Sequence, residues 1–353
     1  MFPLEDRKNA LISLGRFLAQ FGPEGQRDEH PLNHDYCDAF ATLLDHQFTK
    51  NAWFTPENVR FAVGAWGMAL RADAVNEWFQ LEEPSEGLSN RKVGVIMAGN
   101  IPLVGMHDLL SVVASGHQLV AKLSSDDAHL IPVIGRLLEE TAPALKGRLT
   151  FTEETLGEVD AVIATGSGNT ARYFEYYFRD KPALIRRNRS SVAILNGSET
   201  PEELDGLADD VFRYFGMGCR SVSKVYVPED YDLDQLFGAF YRFKDIIDNN
   251  KYANNYDYHK AIFLMNRDEI TENGFVLLKQ SEKLAAPVST VFYEEYSDLD
   301  AVRNQLSSAK DELQCIVSKD SDWPLHVAPG QTQRPELWEY ADGVNIMKFL
   351  KAV

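Results

Sequence analysis

From Arg91 onward the chain alternates short β-branched runs with amphipathic stretches, and this alternation leaves few architectures open. KVGVIMAG reads as a strand, Asn100-Ile101-Pro102 as a turn, LVGMHDLLSVVASG as an amphipathic helix and HQLVAKLS as a second strand. This is a β-α-β unit, whose strands lie parallel because the connection is a helical crossover rather than a hairpin. The pattern continues with HLIPVIGRLLEETAPAL as helix, RLTFTE and VDAVIATG as strands and TARYFEYYFRD as helix. Such alternation predicts an α/β fold, a parallel sheet with helices on its faces.

Residues 1–90 read as a helical region, with LISLGRFLAQF, DYCDAFATLLDHQF and a helix opening at Thr55-Pro56-Glu57. A first α/β domain then spans 91–197 and ends where the pattern breaks at Asn196-Gly197-Ser198. A second, smaller α/β domain is expected over 198–322. It opens with the helix TPEELDGLADDVFRYFG, N-capped by Ser198 or Thr200. SVSKVYVP, KAIFLMN, APVSTVFYEE and LQCIVS follow as strands, with DLDQLFGAFYRFKDIIDN and DLDAVRNQLSSAKD as helices. Residues 323–353 form an aromatic, apolar tail expected to pack back. The 353-residue length suits two domains of roughly 150 residues each.

Lys+Arg 35 against Asp+Glu 53 gives a net charge of −18. That balance disfavours nucleic acid and anionic membrane surfaces as partners. Cys37, Cys219 and Cys315 are far apart and show no C-x-x-C or metal-ligand spacing, so neither a disulfide framework nor a metal site is expected. The opening residues interleave charges with apolar positions, unlike a signal peptide, and no run is long enough to span a membrane. A cytoplasmic location is the expectation, since thiols stay reduced there.

Three segments could carry chemistry. Ala164-Thr165-Gly166-Ser167-Gly168-Asn169-Thr170-Ala171 follows a strand and opens a helix, formally a G-x-G-x-x-A phosphate turn, but an ordinary β-α turn reads the same way. Phe215-Gly216-Met217-Gly218-Cys219-Arg220 places a cysteine between a glycine-flanked helix end and a strand, beside a guanidinium that favours a thiolate, though a lone cysteine is more often a buried small hydrophobe. Gly99-Asn100-Ile101-Pro102 sets an amide at the carboxyl edge of the first strand, where open α/β sheets bind ligands, and Lys122 ends the next strand at the same edge.

Taken in order, Gly99-Asn100-Ile101-Pro102, ASGHQLVAKLSS, ATGS and GMGC resemble the aldehyde dehydrogenase superfamily. Within it GNIPLVGMHDLLSVVASGH, FGMGCRSVSKVYVP, NNYDYHKAIFLMN and PGQTQRPELWEYADGVNIMKFL resemble the LuxC-type acyl-CoA reductases over roughly residues 90 to 353. The resemblance implies a Rossmann-type NAD(P)-binding domain and a catalytic domain. In it Cys219 is the nucleophile that takes an acyl group from an acyl-CoA thioester. Asn100 and the Cys219 backbone N–H hold the oxyanion. Gly99, Lys122, Ser124, Ser125, Thr165, Gly166 and Ser167 serve the cofactor.

Departures from the superfamily bear on the reaction. Arg187-Asn188-Arg189-Ser190-Ser191 stands where hydrolytic members carry Glu-Leu-Gly-Gly-Lys, so the glutamate that activates a deacylating water is missing, as suits acyl-CoA reduction. Lys122-Leu123-Ser124-Ser125 replaces a carboxylate by a hydroxyl, which favours NADPH while leaving NADH possible. Ala285-Ala286-Pro287-Val288 occupies the place of the nicotinamide-ribose glutamate. His259 is a candidate acid ahead of a strand, whereas His107, Cys37, Cys315 and the Tyr173–Phe178 aromatic cluster read first as packing residues. The reading is NADPH-dependent reduction of a fatty acyl-CoA or other acyl thioester to the aldehyde. Its alternative is an acyl-transferase or thioesterase-like protein, or a subunit dependent on an acyl-transferase or ligase partner. A homo-oligomer is expected by analogy.

Overall fold

The computed structural model describes residues 3–353 other than Leu88, Asn90 and Ser167. It divides into one unit of Met1–Asn188 with Arg334–Val353 and a second of Arg189–Gln333.

The first unit opens with helices α1 (Leu4–Ala19), α2 (Asn33–His46), α3 (Pro56–Ala69) and α4 (Ala72–Glu82). Thr55 caps α3 by accepting from the Asn58 N–H, with Pro56 in the first turn where no donor is lost. There follow β1 (Lys92–Ile96), α5 (Met106–Ser115), β2 (Gln118–Lys122), α6 (Leu130–Thr141), β3 (Leu149–Thr152), β4 (Ala161–Thr165), α7 (Gly168–Tyr177) and β5 (Ala183–Arg186). Among the described residues the strands form a parallel sheet in the order β3-β2-β1-β4-β5. Val93, Val95, Leu119, Ala121 and Ala161 through Ala164 are buried, the apolar signature of strands covered on both faces.

The second unit contains β6 (Ser190–Ile194), α8 (Pro201–Phe212), β7 (Val222–Pro228), α9 (Asp234–Phe240), α10 (Asn250–Asn266), β8 (Thr271–Glu272), β9 (Leu277–Gln280), β10 (Thr290–Tyr296), α11 (Leu299–Ser308), β11 (Leu313–Val317) and β12 (His326–Val327). Its sheet runs β12-β11-β6-β7-β10-β9-β8, parallel except where β8 meets β9. Phe212, Val225, Phe240 and Val291 fill one face, and Val192, Tyr226, Leu306 and Trp323 fill the other.

Several expectations are corrected. Ser190–Ile194 pairs with β7 and β11, so the division falls at Asn188 rather than at 197. The tail divides too: 323–333 belong to the second unit, while 334–353 join the first through α12 (Ile346–Lys351). There Tyr340 accepts from Trp78 Nε1 at 2.8 Å and donates to Glu82 at 2.7 Å, and Arg71 pairs with Glu336 at 3.0 Å. KAIFLMN is the end of α10 and not a strand. Asn249 caps that helix, its side chain accepting from the Lys251 and Tyr252 N–H groups, and Tyr252, Tyr256 and Phe263 are buried at helical spacing while Met265 is 83% exposed. Of the two caps considered for α8, Thr200 takes the place, in a reciprocal capping box with Glu203.

Candidate active site

In the first unit β1 lies between β2, its successor, and β4, reached by a crossover. Successive connections therefore leave β1 in opposite directions, the topological switch point where such sheets bind ligands. Lys122 is in register with Ile96, and Ile96 with Ala164, so Lys122, the Gly99-Asn100 turn and Thr165-Gly166 emerge at one carboxyl edge. Asn100 is exposed. Gly99 is buried against Ser124, and a Cβ there would run into the Ser124 side chain. Lys122 Nζ donates to the Glu153 and Glu154 carbonyls, each at 2.8 Å. Ser124 Oγ accepts from the Asp126 N–H at 3.3 Å, and Ser125 is exposed. Gly168 opens α7 with no atom of the described residues beyond its chain neighbours within 4 Å of the position of a Cβ, so the exposed residues at this helix start leave room for a phosphate. Ser167 lies outside the described residues. The switch point, the open helix start and the small residues at both turns fit a dinucleotide.

Sequence reasoning missed Asp127, which underlies the Asn100 turn. Its Oδ2 accepts from the Leu103 N–H at 2.8 Å, holding Leu103 at φ +59 just after Pro102. Its Oδ1 is buried without a hydrogen-bond partner among the described residues. Burial pushes this carboxyl up to about 7, against the Leu103 hydrogen bond that lowers it. Below the sheet edge Arg186 meets Asp108 at 2.7 Å, both nearly fully buried.

In the second unit Cys219 is exposed, whereas Cys37 and Cys315 are buried. The chain reaches it from α8 through Tyr214 (φ +55), Phe215 (φ +59) and Gly216 (φ +73), a run of left-handed residues. Such backbone is costly for the two non-glycine residues and typical of functional sites. Ser191 Oγ donates to the Cys219 carbonyl at 2.9 Å, a contact no sequence signal announced. The Ser221 hydroxyl accepts from the Gly218 N–H at 3.2 Å, and the Ser221 N–H returns to the Gly218 carbonyl at 3.0 Å. A cavity bordered by Phe215, Gly216, Val222, Tyr252, Pro287 and Thr290 adjoins this loop.

His259 lies within α10, half-buried, between Tyr258 and Phe263, and burial holds its imidazole below the ordinary value. It does not precede a strand, so its place in the fold differs from the expected one. His107 is a packing residue: Nε2 lies 2.9 Å from the Leu337 carbonyl, amid Trp66, Trp78 and Tyr340. Of the aromatic cluster on α7, Tyr173, Tyr176 and Tyr177 are exposed rather than packed. Among the described residues no helix is long and apolar enough to cross a membrane.

No family model matches the chain. It is 23% identical over 212 residues to N-succinylglutamate 5-semialdehyde dehydrogenase 2 of Caulobacter vibrioides, covering 54% of this chain and 43% of that protein. It is 22% identical over 209 residues to the long-chain acyl-protein thioester reductase of Vibrio harveyi, covering 53% and 42%. The matches thus span less than half the length of these curated relatives. Among solved structures, the P. syringae indole-3-acetaldehyde dehydrogenase in complex with NAD+ and IAA aligns with a TM-score of 0.66 at 14% identity, over 91% of this chain and 73% of that one. The NAD-dependent aldehyde dehydrogenase of Sinorhizobium meliloti gives 0.65 at 14% identity, over 95% and 73%. The Mycobacterium tuberculosis aldehyde dehydrogenase complexed with NAD+ gives 0.59 at 13%, over 90% and 74%. Together with the thioester reductase likeness, these matches support the motif-based resemblance, and the chain has the α/β fold of the aldehyde dehydrogenases.

Proposed function

We propose that the protein reduces an acyl thioester to the aldehyde with a nicotinamide cofactor, through an acyl-Cys219 intermediate. The observation that carries this reading is the Cys219 loop itself: the exposed cysteine follows the left-handed run Tyr214-Phe215-Gly216 and directly succeeds Gly218 within an aldehyde dehydrogenase fold. Its thiolate attacks the thioester carbonyl carbon. Collapse of the tetrahedral oxyanion breaks the carbon–sulfur bond to the donor, and the departing thiolate takes up a proton. When bound, the reduced nicotinamide supplies a hydride to the acyl carbon. Collapse of the second tetrahedral species frees the aldehyde and regenerates the Cys219 thiolate.

Asn100 and the Cys219 backbone N–H serve as oxyanion donors in both collapses. Asn100→Ala is expected to lower kcat by about 10²–10³ with little change in cofactor affinity, measured by steady-state kinetics beside a cofactor titration. The Lys122, Ser124 and Ser125 edge takes the adenosine ribose, and Thr165, Gly166 and Ser167 with the start of α7 take the pyrophosphate. With no carboxylate in the Lys122–Ser125 segment to repel a 2′-phosphate, NADPH is the preferred cofactor. His259 is the candidate acid; held below its ordinary value by burial, it carries a proton to give mainly on the acid side of neutrality.

The test is to supply acyl-CoA thioesters from short to long chain with NADPH or NADH and to follow nicotinamide absorbance. Acyl-CoA-dependent loss of NADPH, faster than of NADH, is the expected result. Release of free CoA without nicotinamide oxidation would instead identify an acyl transferase or thioesterase, the alternative favoured by Ala285-Ala286-Pro287 at the nicotinamide-ribose position. Silence until an acyl-transferase or ligase is added would identify a partner-dependent subunit.

A further inference from the structure

The second unit holds a buried carboxylate whose hydrogen bonds lead toward the nucleophile loop. Asp210, in the last turn of α8, is 1% exposed. Its Oδ2 accepts from the Gly330 N–H at 2.7 Å, and its Oδ1 accepts from the Thr332 N–H at 3.0 Å and the Thr332 hydroxyl at 2.7 Å. Two glycines shape the seat of that turn. Gly206 lies four residues before Asp210, on the same helix face, and a Cβ there would come within 2.8 Å of the Pro329 carbonyl carbon and 2.9 Å of the Gly330 nitrogen. Gly330 itself has φ +81, a conformation that side-chain-bearing residues rarely adopt. The sequence Pro329-Gly330-Gln331-Thr332 is thereby pressed onto α8 with its donors facing the carboxylate.

From this turn the hydrogen bonds continue to the residues beside Cys219. Arg220 Nε donates to the Thr332 carbonyl at 2.5 Å. Gln333 Nε2 donates to the Ser221 hydroxyl at 3.3 Å, and that hydroxyl also accepts from the Gly218 N–H. Resting on the reading that Cys219 is the nucleophile, we propose that Asp210 is a positioning residue for it: by fixing the Gly330–Gln333 segment it holds Arg220 and Ser221, and with them the place and charge environment of the Cys219 thiol.

The ionisation of Asp210 supplies a readout that packing alone would not. Burial pushes the carboxyl up to about 6, and the neighbouring Asp209 adds to the rise; the Gly330 and Thr332 hydrogen bonds oppose it. Asp209 is paired with Arg213 at 2.8 Å and Arg242 at 2.6 Å, and Arg220 stands beyond the Thr332 carbonyl. Gly330 and Thr332 offer Asp210 three donors. A proton on Oδ1 takes a lone pair that one of the two Thr332 donors uses, and a proton on Oδ2 removes the charge that strengthens the Gly330 bond, so the loop loosens as pH falls through about 6.

The experiment measures alkylation of Cys219 by iodoacetamide in the full chain between pH 5 and 9, with the modified peptide identified by mass. The wild type should show an inflection near 6 in addition to titration of the thiol. Asp210→Asn, which presents an amide N–H₂ where one carboxylate oxygen accepted, should react about 10-fold more slowly at pH 7.5 and lack the inflection. Thr332→Val, which removes only the hydroxyl donor, should lower the rate by a smaller factor, and Thr332→Ser should restore it. Wild-type rates and pH dependence in a folded Asp210→Asn would overturn the proposal. Should that variant not fold, a Thr332→Val rate equal to wild type, or a loss that Thr332→Ser does not recover, would overturn it instead. Alkylation needs neither acyl donor nor cofactor, so a positive result beside acyl-CoA turnover that stays absent even with an acyl-transferase or ligase added would reject the reductase reading and leave Asp210 in its role.

Discussion

Cys219→Ala is expected to abolish covalent acylation by acyl-CoA and to reduce nicotinamide oxidation by a factor on the order of 10⁴ or more, because the whole proposed sequence passes through one sulfur. Cofactor binding should persist, since Lys122, Thr165 and the start of α7 belong to the first unit and the cysteine to the second. The other two thiols serve as internal controls. Cys315 is 0% and Cys37 7% exposed, so neither is open to an acyl donor. Cys37→Ala and Cys315→Ala should keep acylation, with small-to-moderate losses of stability from the removed packing. Intact-protein mass spectrometry after incubation with acyl-CoA reads the result directly. An acyl adduct that survives in Cys219→Ala would remove Cys219 from the mechanism, and with it the reductase assignment.

The parallel sheet of the first unit is legible because strands buried on both faces leave nearly unbroken apolar runs such as AVIAT in β4, while the second unit reads only as α/β. β5 and β6 escaped notice because Arg186-Arg187-Asn188-Arg189 looks like a solvated basic loop. In the structure Arg186 ends β5 and is buried against Asp108 on α5, 78 residues away, a neutralising partner that no local pattern reveals. KAIFLMN was misread for a related reason: a short apolar run fits either period, and the cap at Asn249 and the burial of Tyr252 and Tyr256 that decide for helix lie upstream of it. At the candidate site, glycines and motif order made Cys219, Asn100 and the Thr165 turn visible. Ser191, Asp127 and Asp210 stayed hidden. Each supports a loop distant in sequence, and an acidic or hydroxyl residue in a polar stretch reads as solvent-facing until the loop folds over it.

Asp127 illustrates what such a support costs, and its removal should leave the largest mark on stability. In the folded chain its carboxyl titrates near 7, against an ordinary value of 3.8, because burial penalises the charge and Leu103 alone offers a hydrogen bond among the described residues. A group whose folded pKa is raised stabilises the fold fully below its unfolded value and loses that contribution as pH rises through the folded one. The loss therefore runs from about pH 4 to about pH 7 and levels off above. Its size, some three pH units at 1.36 kcal/mol each, is about 4 kcal/mol. His30, His107, His117 and His259, all held below their ordinary value by burial, slope the other way, losing stability as pH falls. The informative quantity is thus the difference between two variants. Asp127→Asn keeps an oxygen for the Leu103 N–H and carries no charge at any pH. Compared with wild type by urea unfolding from pH 4 to pH 8.5, it should lose ground at low pH, where it exchanges a neutral acid for a buried amide. It should then gain on wild type by about 4 kcal/mol as pH rises, with most of the gain complete by pH 8. Parallel stability profiles for the two proteins would mean that Asp127 reaches solvent or a charge partner in solution. The Asn100 turn would then rest on packing around Leu103 and Met106 rather than on a buried carboxylate.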